Sequence, residues 1–190
     1  MRLVYPTLFP AMWLAWGFFW WAMSRNVKAT VRHESVRSRL KHIVPLVVAV
    51  GLLFQPIVPG SFLGHRILPL TAWTFWAGAV VTAAGLLFSV WARAYLGRNW
   101  SGTVTLKQDH QLVTNGPYSM VRHPIYTGLL LAFVGSAFAR GDLAGVVAVV
   151  LVLVAFWRKL RMEERWMREQ FGEAYVAYSR RVPALVPFIL

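Results

Sequence analysis

The chain contains no cysteine, which excludes disulfides, thiolate metal ligands and a cysteine nucleophile. Charge is scarce: only 14% of the 190 residues are charged, where an average soluble domain carries roughly a quarter. Acidic residues are the rarest of these, with seven Asp and Glu against 20 Lys and Arg and a formal net charge of +13. No G-x-G-x-x-G follows a strand, and neither a P-loop nor an H-E-x-x-H occurs. The motif-bearing nucleotide domains and that zinc site are therefore absent. Any nucleotide-like cofactor has to be held by the chain's own polar segments. There is no internal repeat and no low-complexity tail.

What fills the chain is apolar: 57% of it is hydrophobic, with a mean hydropathy of +0.51. Five apolar runs stand out, at about residues 3–23, 43–58, 67–91, 125–139 and 143–157. They predict an all-α, polytopic integral membrane protein of about five transmembrane helices. It reads as a single membrane domain, 1–190, with N-terminal helices over 1–95 and a catalytic half over 96–190. The first run lacks a small-residue cleavage site and is read as an anchor. The last two runs fall short of the roughly 20 residues that cross a full hydrocarbon core. A helical hairpin turning at Arg140-Gly141-Asp142 accommodates them.

Charge sets the expected topology. Seventeen of the 20 basic residues fall between the first and second runs, between the third and fourth, and after the fifth. Only Arg2, Arg66 and Arg140 lie on the other side. The positive-inside rule then puts the N-terminus outside and the C-terminus in the cytoplasm, in a multi-pass inner-membrane protein. The same rule gives the +13 charge its partner: anionic lipid headgroups, with no nucleic acid. Trp20, Trp21, Trp91, Trp100 and Trp157 lie near the run ends, where an aromatic belt belongs.

Two polar clusters share the predicted cytoplasmic face. One runs from His110 to Gly128, the other from Arg158 to Arg168. In the first, Asn115-Gly116-Pro117 predicts a tight turn that sends Tyr118 back toward the following helix. Pro124 suits a first helical turn, which leaves Arg122 and His123 at its water-facing start, where backbone N–H groups and the helix dipole favour an anion. Tyr126 follows His123 by three residues and shares its face. Gly128 permits close approach of another backbone or a ligand. In the second cluster, Glu163 and Glu164 are adjacent, so they point about 100° apart on a helix. Glu164 can pair with Arg168, and only one of the two glutamates faces a given ligand. The stretch from Arg158 to Gln170 reads as helix, with a stop at Phe171-Gly172 and a shorter helix carrying Tyr175 and Tyr178 before Pro183.

Several stretches together carry a family resemblance: H-Q-L-V-T-N-G-P-Y at 110–118, R-H-P-I-Y-T-G at 122–128, E-E at 163–164, F-G-E-A-Y-V-A-Y at 171–178 and R-V-P-A-L-V-P at 181–187. In order and spacing the chain resembles the isoprenylcysteine carboxyl methyltransferase family over residues 96–190. The resemblance implies S-adenosyl-L-methionine as methyl donor, leaving as S-adenosyl-L-homocysteine, in a pocket formed by the cytoplasmic C-terminal helical region. By position it assigns His110, Gln111, Leu112, Val113, Tyr118, His123, Pro124, Tyr126 and Glu163 to the cofactor site. Gln111 stands where the family often has a small hydroxylated residue. Lys159, flanked by Arg158 and Arg161, stands where the family's substrate-carboxylate arginine belongs.

The residues suit that chemistry. A glutamate can hold the donor's ammonium, histidine and tyrosine rings can lie against adenine or sulfonium, and a helix start can take the carboxylate. Methyl transfer depends mostly on positioning and desolvation. Arg122, Arg161 and Glu164 are the candidate catalytic residues, and Lys159 and Arg158 the candidate acceptor-binding ones. A carboxylate acceptor needs no general base; an amine or hydroxyl needs one, for which Glu164 or His123 is the candidate. The expected partners are a lipophilic acceptor and membrane lipids, without a metal. Three other readings stay open: phospholipid or amine N-methylation, a membrane reductase using NADPH, and a non-enzymatic membrane scaffold.

Overall fold

The computed structural model describes residues 5–24, 30–56, 60–97, 105–107 and 112–186. Its body is helical: α1 (Tyr5–Ser24), α2 (Val36–Phe54), α3 (Ala72–Leu96), α4 (Pro124–Arg140), α5 (Leu143–Phe171) and α6 (Glu173–Arg181). The all-α expectation omitted one small feature, an antiparallel ribbon of β1 (Thr30–His33) and β2 (Thr105–Lys107) that pairs Thr30 with Lys107 and His33 with Thr105.

Local chemistry explains where the helices depart from the apolar runs. The Ser35 side chain accepts from the Ser38 N–H, so α2 starts at Val36 and carries Arg37, Arg39 and Lys41 in its first turns. Hydropathy alone placed that start at residue 43. Thr71 and Thr74 form a reciprocal capping box, which delays α3 to Ala72. Asp142 caps α5 by accepting from the Gly145 N–H at 3.1 Å. Gly141 takes the left-handed conformation, φ 70°, that the two-residue reversal between α4 and α5 requires. The predicted 140–142 hairpin is thus present. α5 runs 29 residues, so its apolar part, 143–157, continues without a break into the polar part that begins at Arg158.

α3 and α4 pack backbone to backbone. A Cβ on Gly85 would lie 2.4 Å from the Gly128 carbonyl oxygen, and one on Gly135 2.5 Å from the Thr82 nitrogen. Only glycine admits this approach, the small-residue helix contact common in membranes. α1 is tied across this pair by indole N–H donors, Trp13 to Ser136 Oγ (3.2 Å) and Trp16 to Ser89 Oγ (2.9 Å). On the other flank α2 runs antiparallel to α5. Ala49 and Leu53 pack with Ala148 and Val152, and Ser38 meets Met162 near the opposite end. Outer faces stay apolar, with Leu14, Val47, Leu87 and Val154 exposed. α3 and α5 are long and apolar enough to cross a membrane by length and composition, and α4 is apolar but shorter.

The connections sort to two ends of the bundle. At one end His65, Leu63 and Gly141 carbonyls accept from the N–H groups of Leu143 (3.0 Å), Ala144 (3.0 Å) and Ile67 (2.9 Å). Arg140, buried there, donates to the Leu53 and Gln55 carbonyls and to Asp142. The β-ribbon draws together the α1–α2 and α3–α4 connections. The α4 start meets the chain beyond α6 through Arg122 N–H to Pro183 O at 2.8 Å. Arg66 and Arg140 thus sit apart from both polar clusters, as the charge pattern requires.

Candidate functional site

Gly116–Ser119 is a single 3-10 turn, with φ 59° at Gly116. A Cβ at Gly116 would lie 2.7 Å from the Tyr95 ring. The turn buries Tyr118, as its sequence predicts, and the Tyr118 carbonyl accepts from the Tyr178 hydroxyl at 2.6 Å. Three residues past Val121, Pro124 opens α4 with no N–H to lose. Arg122 and His123 therefore stand at the mouth of the bundle, facing the polar part of α5.

Arg122 turns inward instead of reaching for headgroups. Its Nε and Nη2 bind Glu164 Oε1 at 2.8 and 2.6 Å, and Nη1 donates to the Ser179 and Val182 carbonyls. Arg168 holds the other Glu164 oxygen at 3.1 Å, the predicted i,i+4 pair. Thr127 Oγ1 adds a bond to Leu185 O at 2.6 Å. One guanidinium thus fastens α4, α5 and the chain beyond α6 into a clamp. The backbone N–H groups of Arg122 and His123, expected to await an anion, instead donate to the Pro183 and Ala184 carbonyls. Desolvation alone would raise the Glu164 pKa, but His123 and Arg122 outweigh it and hold the carboxyl at about 2.

Glu163 faces a different side. Its Oε1 accepts from the Tyr126 hydroxyl at 2.5 Å, and its Oε2 lies 3.6 Å from His123 Nδ1. The His123 ring sits between the two glutamates, with Nε2 3.4 Å from Glu164 Oε1. Burial would lower the His123 pKa, yet the flanking carboxylates raise it overall. For Glu163 burial works upward, while His123 and Lys159 bring the net shift down. The imidazole is thereby favoured as a cation and both carboxyls as anions. Aromatic rings line this side: His123 stacks on Tyr126 at 5.5 Å, and Tyr126 on Phe156 at 5.0 Å. Lys159 Nζ stands over the Tyr126 ring at 5.2 Å. With 25% of its side chain exposed against 7% for Glu164, Glu163 is the carboxylate open to a ligand.

The structure therefore brings together Tyr118, Arg122, His123, Pro124, Tyr126, Lys159, Glu163 and Glu164. Leu112 and Val113 are half-buried on the approach to the 3-10 turn. Arg158 and Arg161 are exposed, and Arg161 packs over Trp157 at 5.5 Å, away from Glu163. A polar depression of about 610 Å³, lined by Arg161, Glu164, Arg165, Arg168 and Glu169, opens on the Glu164 flank and includes neither Glu163 nor His123. His110 and Gln111 lie outside the described residues. Sequence reasoning missed Glu34, just before α2, and His42, on α2, which lie beside this cluster. Their available signal was an acidic residue among only seven, beside a strong N-cap serine.

A helical bundle with apolar outer faces and a polar, aromatic-lined cluster at one end has the build of a membrane-type protein. The phospholipid methyltransferase family matches residues 73–174, more than half of the chain, and the chain belongs to that family. Its relatives include isoprenylcysteine O-methyltransferases, as the motif resemblance implied. Protein-S-isoprenylcysteine O-methyltransferase B of Arabidopsis thaliana is 33% identical over 96 residues, 49% of each chain. The Schizosaccharomyces pombe protein-S-isoprenylcysteine O-methyltransferase is 34% identical over 101 residues, 52% of this chain and 43% of its own. The chain spans about half the length of these curated relatives. The solved eukaryotic intramembrane Ras methyltransferase, isoprenylcysteine carboxyl methyltransferase, shares the fold, with a TM-score of 0.58 at 23% identity over 84% of this chain and 55% of that one.

Proposed function

We propose that this protein is an S-adenosyl-L-methionine-dependent methyltransferase of the membrane, with five spanning helices, its N-terminus outside and its polar site in the cytoplasm. The observation that carries this reading is the Glu163 carboxylate, ionised and open, with His123, Tyr126 and Phe156 stacked beside it. Such a place suits a soluble cation that also carries a flat ring. Glu163 would hold the donor's ammonium, and the His123–Tyr126 rings would lie along its adenine or near its sulfonium. Leu112, Val113, Tyr118 and Pro124 would close the pocket's wall; His110 and Gln111 are assigned to the donor by the sequence motif alone. The bound donor supplies an activated methyl group; the protein supplies alignment and exclusion of water.

Arg122 and Glu164 serve as positioning residues in this reading, because their polar atoms already fasten one another and the C-terminal segment. The acceptor is a lipophilic molecule that enters from the bilayer between helices. The relatives' names favour an isoprenylcysteine carboxylate, with Lys159 and Arg158 as its cations. A second reading, an amine acceptor, is favoured by the Glu34–His42 pair. Radiolabelled methyl transfer into total lipid, with purified protein, tests the reaction. Label in the lipid phase is the expected result, and mild base distinguishes an ester, which releases methanol, from an N-methyl group, which does not. Absence of label from every lipid fraction would contradict the reading.

A further inference from the structure

Glu34 is the second acid buried at this end of the bundle, and nothing in the donor site uses it. Its side chain is 1% exposed, and among the described residues neither carboxylate oxygen has a hydrogen-bond partner. Among the described residues its ion-pair partner is His42, 4% exposed, whose Nδ1 lies 3.6 Å from Glu34 Oε1 and has no hydrogen bond of its own. A buried carboxylate left without donors is costly. It asks for a ligand that brings N–H groups or positive charge.

The position of the pair is fixed by α2. Ser35 caps that helix directly after Glu34, and Ser38, one turn before His42, touches Met162 beside Glu163. From α5, Lys159, Arg158 and Glu163 act electrostatically on His42, and Glu34 acts on Tyr126. Glu34, just before α2, and His42, on α2, therefore lie near the Glu163 site on the side of α5 that α2 covers. With Nδ1 turned to Glu34, Nε2 is the ring nitrogen left for an acceptor.

We propose that Glu34 and His42 are the acceptor-side proton-accepting pair, serving an amine acceptor. The proposal rests on the methyl-transfer reading above and concerns the acceptor alone. An ammonium head gives one N–H proton to His42 Nε2, and Glu34 balances the imidazolium. The freed nitrogen lone pair forms the new N–CH3 bond as the methyl–sulfur bond breaks, its electron pair staying on sulfur. The proton on His42 then passes to water. A carboxylate acceptor would need no such base and would meet a second buried negative charge.

The test uses the full chain in vesicles with phosphatidylethanolamine as amine probe and S-farnesylcysteine as carboxylate probe. Histidine nitrogen NMR, without methyl donor, should show a resonance absent from His42→Gln that moves with the amine probe only. With donor present, His42→Gln should lose roughly 100-fold or more in rate on the amine probe. Imidazole should restore part of the rate to His42→Ala. Glu34→Gln should move the acid limb of the pH profile to lower pH. Calorimetry with S-adenosylhomocysteine separates the two hypotheses and checks folding, since all three variants should keep wild-type affinity. If the wild type binds no S-adenosylhomocysteine, the methyl-transfer reading fails. If it binds but His42→Gln keeps full rate and an unchanged pH profile, or only the carboxylate probe is methylated, the Glu34–His42 proposal is overturned.

Discussion

Arg122 joins three segments through four donor contacts. Removing it leaves Glu164 buried with one partner fewer, a loss of the kind that costs about 3 kcal/mol. Arg122→Ala should therefore lower the thermal midpoint in detergent clearly. Arg122→Lys should recover only part, because an ammonium lacks the fork that spans carboxylate and carbonyls. The same contacts predict an acid transition. Glu164 is held at about 2, below the roughly 4.3 of an unfolded glutamate. The unfolded chain then binds the proton more readily, so this stabilisation is complete above the ordinary value and is lost as pH falls toward 2. Melting curves across that window should show the loss in wild type and a much smaller one in Glu164→Gln. At this scale the sequence exposed the residue types and the R-H-P-x-Y and E-E spacing. It could not divide their work, because which glutamate is consumed by Arg122 depends on how α4, α5 and the chain beyond α6 meet.

Among elements, the α3–α4 contact is the least tolerant. Gly85→Leu should drive a side chain into the Gly128 carbonyl and the Ala132 backbone, where neither can yield, and should abolish a cooperative melt. Gly51→Ala in α2 is the control: nothing lies within 4 Å of the added carbon. Helix propensity should then raise stability by up to about 1 kcal/mol. Both effects are read by thermal unfolding in the same detergent. The α4–α5 hairpin was legible because Gly and Asp at 141–142 are a helix stop and a helix cap in succession. The start of α2 was not, since hydropathy rejects Arg37, Arg39 and Lys41 while the Ser35 cap admits them. The same oversight concealed Glu34 and His42, which reach the site only because α2 begins where it does.

Across the whole molecule, the two-ended sorting of connections makes sidedness measurable. The chain has no cysteine, so a single introduced one reports alone. His65→Cys and Asn115→Cys lie at exposed positions at opposite ends of the bundle. An impermeant thiol reagent should label residue 65 on intact cells and residue 115 only after permeabilisation, and the reverse pattern would invert the orientation. Charge counting recovered this sorting because basic residues avoid one side of a membrane for reasons independent of packing. It could not recover the close α3–α4 approach or the inward turn of Arg122. Those follow from which faces touch, and apolar runs do not encode it.

Glu163, with His123 and Tyr126, is proposed to form the pocket for the methyl donor. Equilibrium titration of purified protein with S-adenosylhomocysteine, wild type beside Glu163→Gln, tests it most directly. Saturable binding to wild type and none to Glu163→Gln, with both proteins melting alike, is the predicted result. No binding to wild type, or equal affinity in the two proteins, would contradict it.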